Sequence, residues 1–292
     1  MLRRFVVSLK AFGDFVIALR TIRAIQGLTT NDTPPGLLAG EHLRQLAEAL
    51  GVEQQVSFVP SGSAFPAAFD FKRRGPLQGL ASVLRLRNSL RHLPGDCGLI
   101  FDALGWRENF IAAAYRRQAY VSAPNVYIAC ADTLRSLGFE IPRNSPVAAP
   151  PLNRAPLRGL ARIFPSSRKA DKCIPAAVTA RLVRQLGQAG LACEVIELAG
   201  EAVELTPELP IRRLERNFGT LIEAVRGSDL VVSADSLPGH LADYFAVTAY
   251  IISPIENSYW LPLSCFVDNA WSLFRDEQSF AGWLSAREKS SV

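Results

Sequence analysis

Short apolar runs alternate with helical patterns along most of the 292 residues, and this alternation restricts the fold more than any other feature of the sequence. Phe5–Leu9 precedes a helical pattern over 14–26, Gly36–Gly40 precedes one over 41–50, and Val56–Val59 leads into a basic segment. Leu99–Leu104 precedes a helical pattern over 107–118, and Tyr120–Ala123 follows as a strand. A strand, a helix and a second strand in succession close most readily as a parallel βαβ unit. The alternation breaks at 138–159, which carries Pro142, Pro146, Pro150, Pro151 and Pro156 and reads as a linker. It then resumes: strand 160–167, helix 174–190 with Pro175 early and Gly190 at its end, strand 192–199, helix 217–227, strand 229–234, helix 236–246 and strand 247–253. The expectation is an α/β chain of two doubly wound halves, 1–150 and 151–292, facing each other across a cleft.

Such halves bind ligands at the carboxyl ends of strands and the amino ends of helices, where unpaired N–H groups and the helix dipole favour negative charge. Two segments suit that place: "FGD" at 12–14 and "SADSLPGH" at 233–240. The net charge of +5 also suits an anionic partner without choosing which one. The basic residues are unevenly spread. The stretch 71–93 holds Lys72, Arg73, Arg74, Arg85, Arg87 and Arg91 and no acid. If 77–93 is helical, Leu80, Val83, Leu84, Leu90 and Leu93 form an apolar side beside a basic one. That helix either lies on an anionic membrane or phosphorylated acceptor, or packs on the core with its arginines in water.

Several classes are disfavoured. No apolar run reaches the ~18 residues of a bilayer span, and the N-terminus lacks the apolar core of a signal peptide. The five cysteines are scattered without a C-x-x-C, as expected of reduced thiols in a cytoplasmic protein, and with three histidines they form no zinc-binding pattern. There is no G-x-G-x-x-G, no P-loop, no D-x-D and no G-x-S-x-G.

Individual residues keep two readings. Asp14 starts a helix, so it is either a cap or a proton acceptor. Asp235 is an N-cap or part of a phosphate site, and His240 is a buried first-turn histidine or a phosphate donor. Lys172 is a solvated lysine or a phosphate ligand. Arg107 pairs with a neighbouring acid or meets an anionic acceptor.

Taken together, "LKAFGDFVIALRTIRAI" (9–25), "RIFPSSRKADKCIPAAVTARLVRQL" (162–186) and "SDLVVSADSLPGHLADYFAVTAYIISPIENSYWLP" (228–262) resemble the family 9 glycosyltransferases, the group containing the lipopolysaccharide heptosyltransferases. The matching positions are the Gly13-Asp14 pair; Ser166, Ser167, Lys172 and Pro175; and Asp235, Ser236, His240, Leu241, Ala242, Ser253-Pro254 and Trp260-Leu261-Pro262. Two positions and the chain length depart from the pattern. Leu237 stands where the family has glycine, Gly239 being the nearest substitute. Ser8 stands where a basic residue is usual, with Lys10 close by, and the chain is somewhat short.

The resemblance implies a GT-B architecture and an inverting, metal-independent sugar transfer without a cofactor. The donor would be a nucleoside-diphosphate sugar, with ADP-heptose the one it points to, and the acceptor an anionic glycolipid or bacterial surface glycan; nucleic acid is not implied. It assigns Asp14 as general base. It assigns Ser166, Ser167, Lys172, Asp235, Ser236, Gly239 and His240 to the nucleotide sugar, and Lys10 and Gly13 to the acceptor, to which Arg107 is added from its guanidinium chemistry at a strand-to-helix turn. The implied location is the cytoplasm, at the inner face of the inner membrane through 71–93. The rival reading is a non-catalytic, glycosyltransferase-like binding or scaffold protein.

Overall fold

The computed structural model describes residues 4–8, 11–26, 36–59, 75–90, 98–101, 110, 116–117, 121–139, 141, 157, 159–201, 205–276 and 278–289. The chain divides into two compact units, Met1–Ala148 and Ala149–Val292. Most of the proline-rich segment lies outside the described residues.

The first unit carries a parallel five-stranded sheet. Its strands are β1 (Arg4–Ser8), β2 (Gly36–Gly40), β3 (Val56–Val59), β4 (Gly98–Phe101) and β5 (Arg116–Arg117), in the order β3-β2-β1-β4-β5. Leu37, Leu38 and Ala39 are completely buried, as expected of a parallel strand covered on both faces. Helix α1 (Phe12–Gln26) lays Phe15, Val16, Leu19 and Ile22 against this core. Helix α2 (Arg44–Ala49) follows β2 through a single 3₁₀ turn, Glu41–Leu43.

Three expectations for this unit need correction. Arg116 and Arg117, expected within a helix over 107–118, form edge strand β5, which pairs with Gly98 and Leu99 of β4. Sheet pairing outweighs local helical pattern there. The 121–123 stretch is not a strand. Instead a helix, α4, forms over Val126–Ser136, where the Asn125 side chain caps it by accepting from the Tyr127 N–H at 3.0 Å. It ends in a Schellman turn, with Phe139 N–H donating to the Leu134 carbonyl at 3.1 Å and Gly138 at φ +88°.

The third correction concerns helix α3 (Pro76–Ser89). Gly79, Ser82, Val83 and Leu86 face inward, followed by Leu90, while Leu77, Leu80 and Leu84 face out. The apolar residues therefore form two opposite faces rather than one. Lys72, Arg73, Arg74, Arg91 and Leu93 lie outside the described residues.

The second unit holds a parallel six-stranded sheet. Its strands are β6 (Leu160–Phe164), β7 (Ala192–Leu198), β8 (Ile211–Leu214), β9 (Leu230–Ala234), β10 (Thr248–Ser253) and β11 (Trp271–Leu273), in the order β11-β10-β9-β6-β7-β8. Helices α5 (Ala176–Gln188), α6 (Phe218–Arg226), α7 (Leu237–Tyr244), α8 (Leu263–Val267) and α9 (Ser279–Lys289) follow. Both sheets run outward in both directions from their first strand, which is the Rossmann order. Strands β9 and β10 are buried along their whole length.

Within β6 stands Arg162, a buried cation. Its Nε donates to Glu194 of β7 at 2.7 Å, and its Nη1 donates to the Ala224 carbonyl of α6 at 2.8 Å. Arg212 of β8 donates to the same Glu194 oxygen at 3.2 Å. The Arg162 hydrogen bond is the main reason the Glu194 carboxyl sits below its usual range.

Among the described residues no helix is long and apolar enough to cross a membrane, and no three His, Cys, Asp or Glu side chains converge to hold a metal ion.

Candidate functional site

In a doubly wound sheet, ligands collect outside the carboxyl ends of the strands where the strand order reverses. In the second unit that switch point lies between β6 and β9, which pair from Ala161↔Leu230 to Phe164↔Ser233. This register carries the loop after β6 and the turn into α7 out of the sheet side by side. Sequence reading placed most of its phosphate candidates in these two loops.

The loop after β6 is folded tightly by its own backbone. Ile174 N–H donates to the Pro165 carbonyl at 2.8 Å, and a 3₁₀ turn covers Ala170–Lys172. Beneath the loop sits Cys173, whose sulfur accepts from the Ser167 N–H at 3.3 Å and donates to the Lys169 carbonyl at 3.7 Å. That thiol links the serine pair to the lysine turn. Sequence reading passed it over, because a single cysteine without a spaced partner carries no recognisable signal.

Lys172 reaches over to the turn after β9 and ion-pairs with Asp235. The structure thus brings together two residues 63 positions apart in the chain. It also corrects the capping role expected of Asp235. The helix begins at Leu237 rather than 236, so Ser236 occupies the N-cap position, and Ser236 makes no side-chain cap bond. Its hydroxyl instead donates to the Ser166 carbonyl at 3.3 Å and the Ala234 carbonyl at 3.2 Å, tying the two loops together.

Two backbone donors are left at the start of α7. The N–H groups of Leu237 and Gly239 have no acceptor within the helix, and Pro238 has no N–H. Beside them stands the Lys172 ammonium, which has three donors, of which Asp235 takes one. A cation next to an uncapped helix start is an arrangement that holds phosphate oxygens.

His240 is buried in the first turn of α7. Gly239 also serves packing. A Cβ there would come within 2.5 Å of Ile251 Cδ1, so the missing side chain serves the close approach of α7 to β10. Any contribution of Gly239 to a ligand comes from its N–H.

In the first unit, the corresponding switch point lies between β1 and β4. Helix α1 starts at Phe12, two residues before the expected position, which makes Asp14 its third residue. The Ala11 N–H donates to Asp14 Oδ2 at 3.0 Å. This is the return half of a capping box, in which a side chain in the first turn reaches back to the N-cap backbone. Gly13 lies beside it, half-buried. The Phe12 ring stands 6.3 Å from the ring of His42 in the 3₁₀ turn after β2, so an imidazole that sequence reading did not single out lies close to this helix start. Lys10 and Arg107 lie outside the described residues.

Solved structures share this architecture along the whole chain. The heptosyltransferase WaaC of E. coli, determined with ADP, superposes with a TM-score of 0.62 at 14% identity, covering 100% of both chains. The fold is that of the heptosyltransferases. A glycosyl transferase of family 9 from Veillonella parvula gives 0.59 at 12% identity, covering 98% of this chain and 89% of its own. The ADP-heptose lipopolysaccharide heptosyltransferase II of E. coli gives 0.54 at 14% identity over 99% of each chain. No family model and no curated protein matches the sequence. At these identities the likeness is one of fold.

Proposed function

We propose that the chain is an inverting glycosyltransferase that takes a sugar from a nucleoside-diphosphate donor, ADP-heptose by preference, and passes it to an anionic glycolipid or bacterial surface glycan. The observation that supports this most is the Lys172–Asp235 pair beside the uncapped start of α7, at the switch point of the second unit. WaaC, with the same fold, has been solved with ADP and with ADP-2-deoxy-2-fluoro heptose.

In this reading the second unit binds the donor. Its diphosphate takes the free donors of Lys172, the N–H groups of Leu237 and Gly239, and the hydroxyls of Ser166, Ser167 and Ser236. An acceptor hydroxyl attacks the anomeric carbon as the bond to the diphosphate breaks, and the configuration inverts. The electron pair leaves with the diphosphate, where these donors stabilise the developing charge without a metal. The acceptor proton passes to the carboxylate of Asp14 on the first unit, held in position by its bond from Ala11.

The test is thermal unfolding of the full chain with ADP, UDP and GDP and their sugar conjugates. A ligand that binds only the folded state raises the midpoint. A rise with ADP and ADP-heptose is expected, and no rise with any of them removes the donor-site reading. A non-catalytic binding protein is favoured by one observation, Leu237 at the helix start where a glycine would let backbone approach a diphosphate more closely. Asp14→Asn separates the two readings. Loss of turnover with unchanged donor binding supports catalysis, whereas a wild type that binds donor but transfers to no acceptor supports the alternative.

A further inference from the structure

The loop over 254–262 leaves the second sheet beside the turn into α7. Strands β9 and β10 pair in parallel with Ile252 opposite Ala234, so the chain leaves both at the same level, about 4.8 Å apart. The loop is held at each end. At its start the Ser253 hydroxyl donates to the Ile255 carbonyl at 2.7 Å. At its end Leu261 and Leu263 are buried, and Pro262 Cγ lies 3.5 Å from where a Cβ on Gly239 would stand, against the first turn of α7.

Between these anchors a 3₁₀ turn over Ser258–Trp260 sets two aromatic residues side by side. The Leu261 N–H closes it on the Ser258 carbonyl at 3.3 Å. Tyr259 and Trp260 pack edge to face, with ring centroids 5.0 Å apart and planes at 90°. Both are half-buried. The aromatic cluster that fills the core at β10 is a different one, the buried Tyr250 and Phe280 with Trp283. Tyr259 and Trp260 therefore keep part of their surface open, on a loop anchored next to the helix start that carries the backbone donors.

Which part of a donor meets this pair follows from the sheet order. A sheet of this kind takes a diphosphate ligand across its reversal point, with the nucleoside over the first half and the group beyond the diphosphate over the second. Strands β6, β7 and β8 form the first half here, and β9, β10 and β11 the second. A diphosphate at the start of α7 thus puts its sugar on the β10 side. A pyranose turns several C–H bonds to one face, and their partial positive charge suits the negative face of an indole. A ring already braced by its neighbour loses little freedom when the ligand arrives.

We infer that Trp260, braced by Tyr259, is the platform for the transferred sugar of the donor and a specificity-determining residue that selects pyranoses with an unbroken C–H face. The inference rests on the donor-site reading of the second unit.

The experiment is isothermal titration of the full chain with ADP and with ADP-heptose. In Trp260→Leu, ADP-heptose should bind about tenfold more weakly, while ADP stays within about twofold of wild type. Trp260→Phe keeps a ring and should recover most of the loss. A purely structural role would move both ligands together. Tryptophan emission gives a second reading: ADP-heptose should change it beyond the effect of ADP, and Trp260→Phe should abolish that difference. Equal losses for the two ligands in Trp260→Leu, no loss for either, or an emission difference that survives in Trp260→Phe overturns the inference and leaves the donor site standing. A wild type that binds neither ligand removes the donor-site reading, and the inference with it.

Discussion

Replacing Lys172 should destabilise the second unit more than replacing its partner Asp235, and the asymmetry follows from burial. The Asp235 side chain is 9% exposed and that of Lys172 is 23% exposed. Lys172→Met leaves a nearly buried carboxylate without its cation. Breaking a fully buried pair costs about 3–5 kcal/mol, and the residual access to water here lowers the expected loss to about 2–3 kcal/mol. Asp235→Asn leaves an ammonium on a flexible stem that extends into solvent, at about 1 kcal/mol.

For a unit the size of Ala149–Val292, each kcal/mol moves the midpoint by about 3 °C. Calorimetry of the full chain should therefore show a drop of about 6–9 °C for Lys172→Met and about 3 °C for Asp235→Asn. The double variant should lose less than the sum, by at least about 1 kcal/mol, because neither residual group is charged. Isothermal titration with ADP tests the proposed donor site: if Lys172 holds the diphosphate, losing that charge-assisted donor should weaken binding by tenfold or more in Lys172→Met. Equal losses for the single variants, or strict additivity in the double, would refute the picture of a nearly buried carboxylate held by this lysine.

Three further outcomes follow from the structure. Gly239→Ala should lower stability by about 1–3 kcal/mol through overpacking, and Ile251→Val should restore part of the loss by removing the methyl group met by the new Cβ, as read by chemical denaturation. Glu194→Gln should cost about 1.5–3 kcal/mol near neutral pH. Because the folded carboxyl titrates below its unfolded value, that stabilisation is present above the unfolded pKa and disappears as pH falls through the lowered one; denaturation curves of variant and wild type should converge in acid. Burial pushes the Cys193 and Cys265 thiols up to about 12, so mass spectrometry after alkylation at pH 8 should find both unmodified in the folded protein and modified once it is unfolded.

The legible parts of the sequence were those where local pattern and tertiary demand coincide. The wholly buried, mostly apolar strands β9 and β10 and the helix with Pro175 near its start and Gly190 just past its end read to within two residues. Strand β8, "IRRL", escaped because its charges mask a ladder that exists through Glu194 and Glu197 of the neighbouring strand. Helix α4 was missed although Asn125 and Gly138 mark its two ends. Strand β5 reads as helix from its own residues and becomes a strand only by pairing with β4. At the site, resemblance rather than spacing grouped Ser166, Ser167, Lys172, Asp235 and Ser236, and the structure brings Lys172 to Asp235 and Ser236 to Ser166. The pairing of Lys172 with Asp235, and the use of Gly239 for packing, depend on the β6–β9 register and on the β9–β10–α7 contact, neither of which is local.

Arg162 has one more consequence, for how this chain can vary. Its guanidinium is bonded at once to a neighbouring strand, through Glu194, and to the end of α6, through Ala224. A change at position 162 alone leaves a carboxylate without its principal partner, and a change at 194 alone strands a cation in the core. Passing through either single variant means crossing a valley of low stability, whereas exchanging both for well-packed apolar residues does not. Positions 162 and 194 are therefore expected to change together in any descendant or redesign of the chain, as a matched pair recording which strand lies beside which.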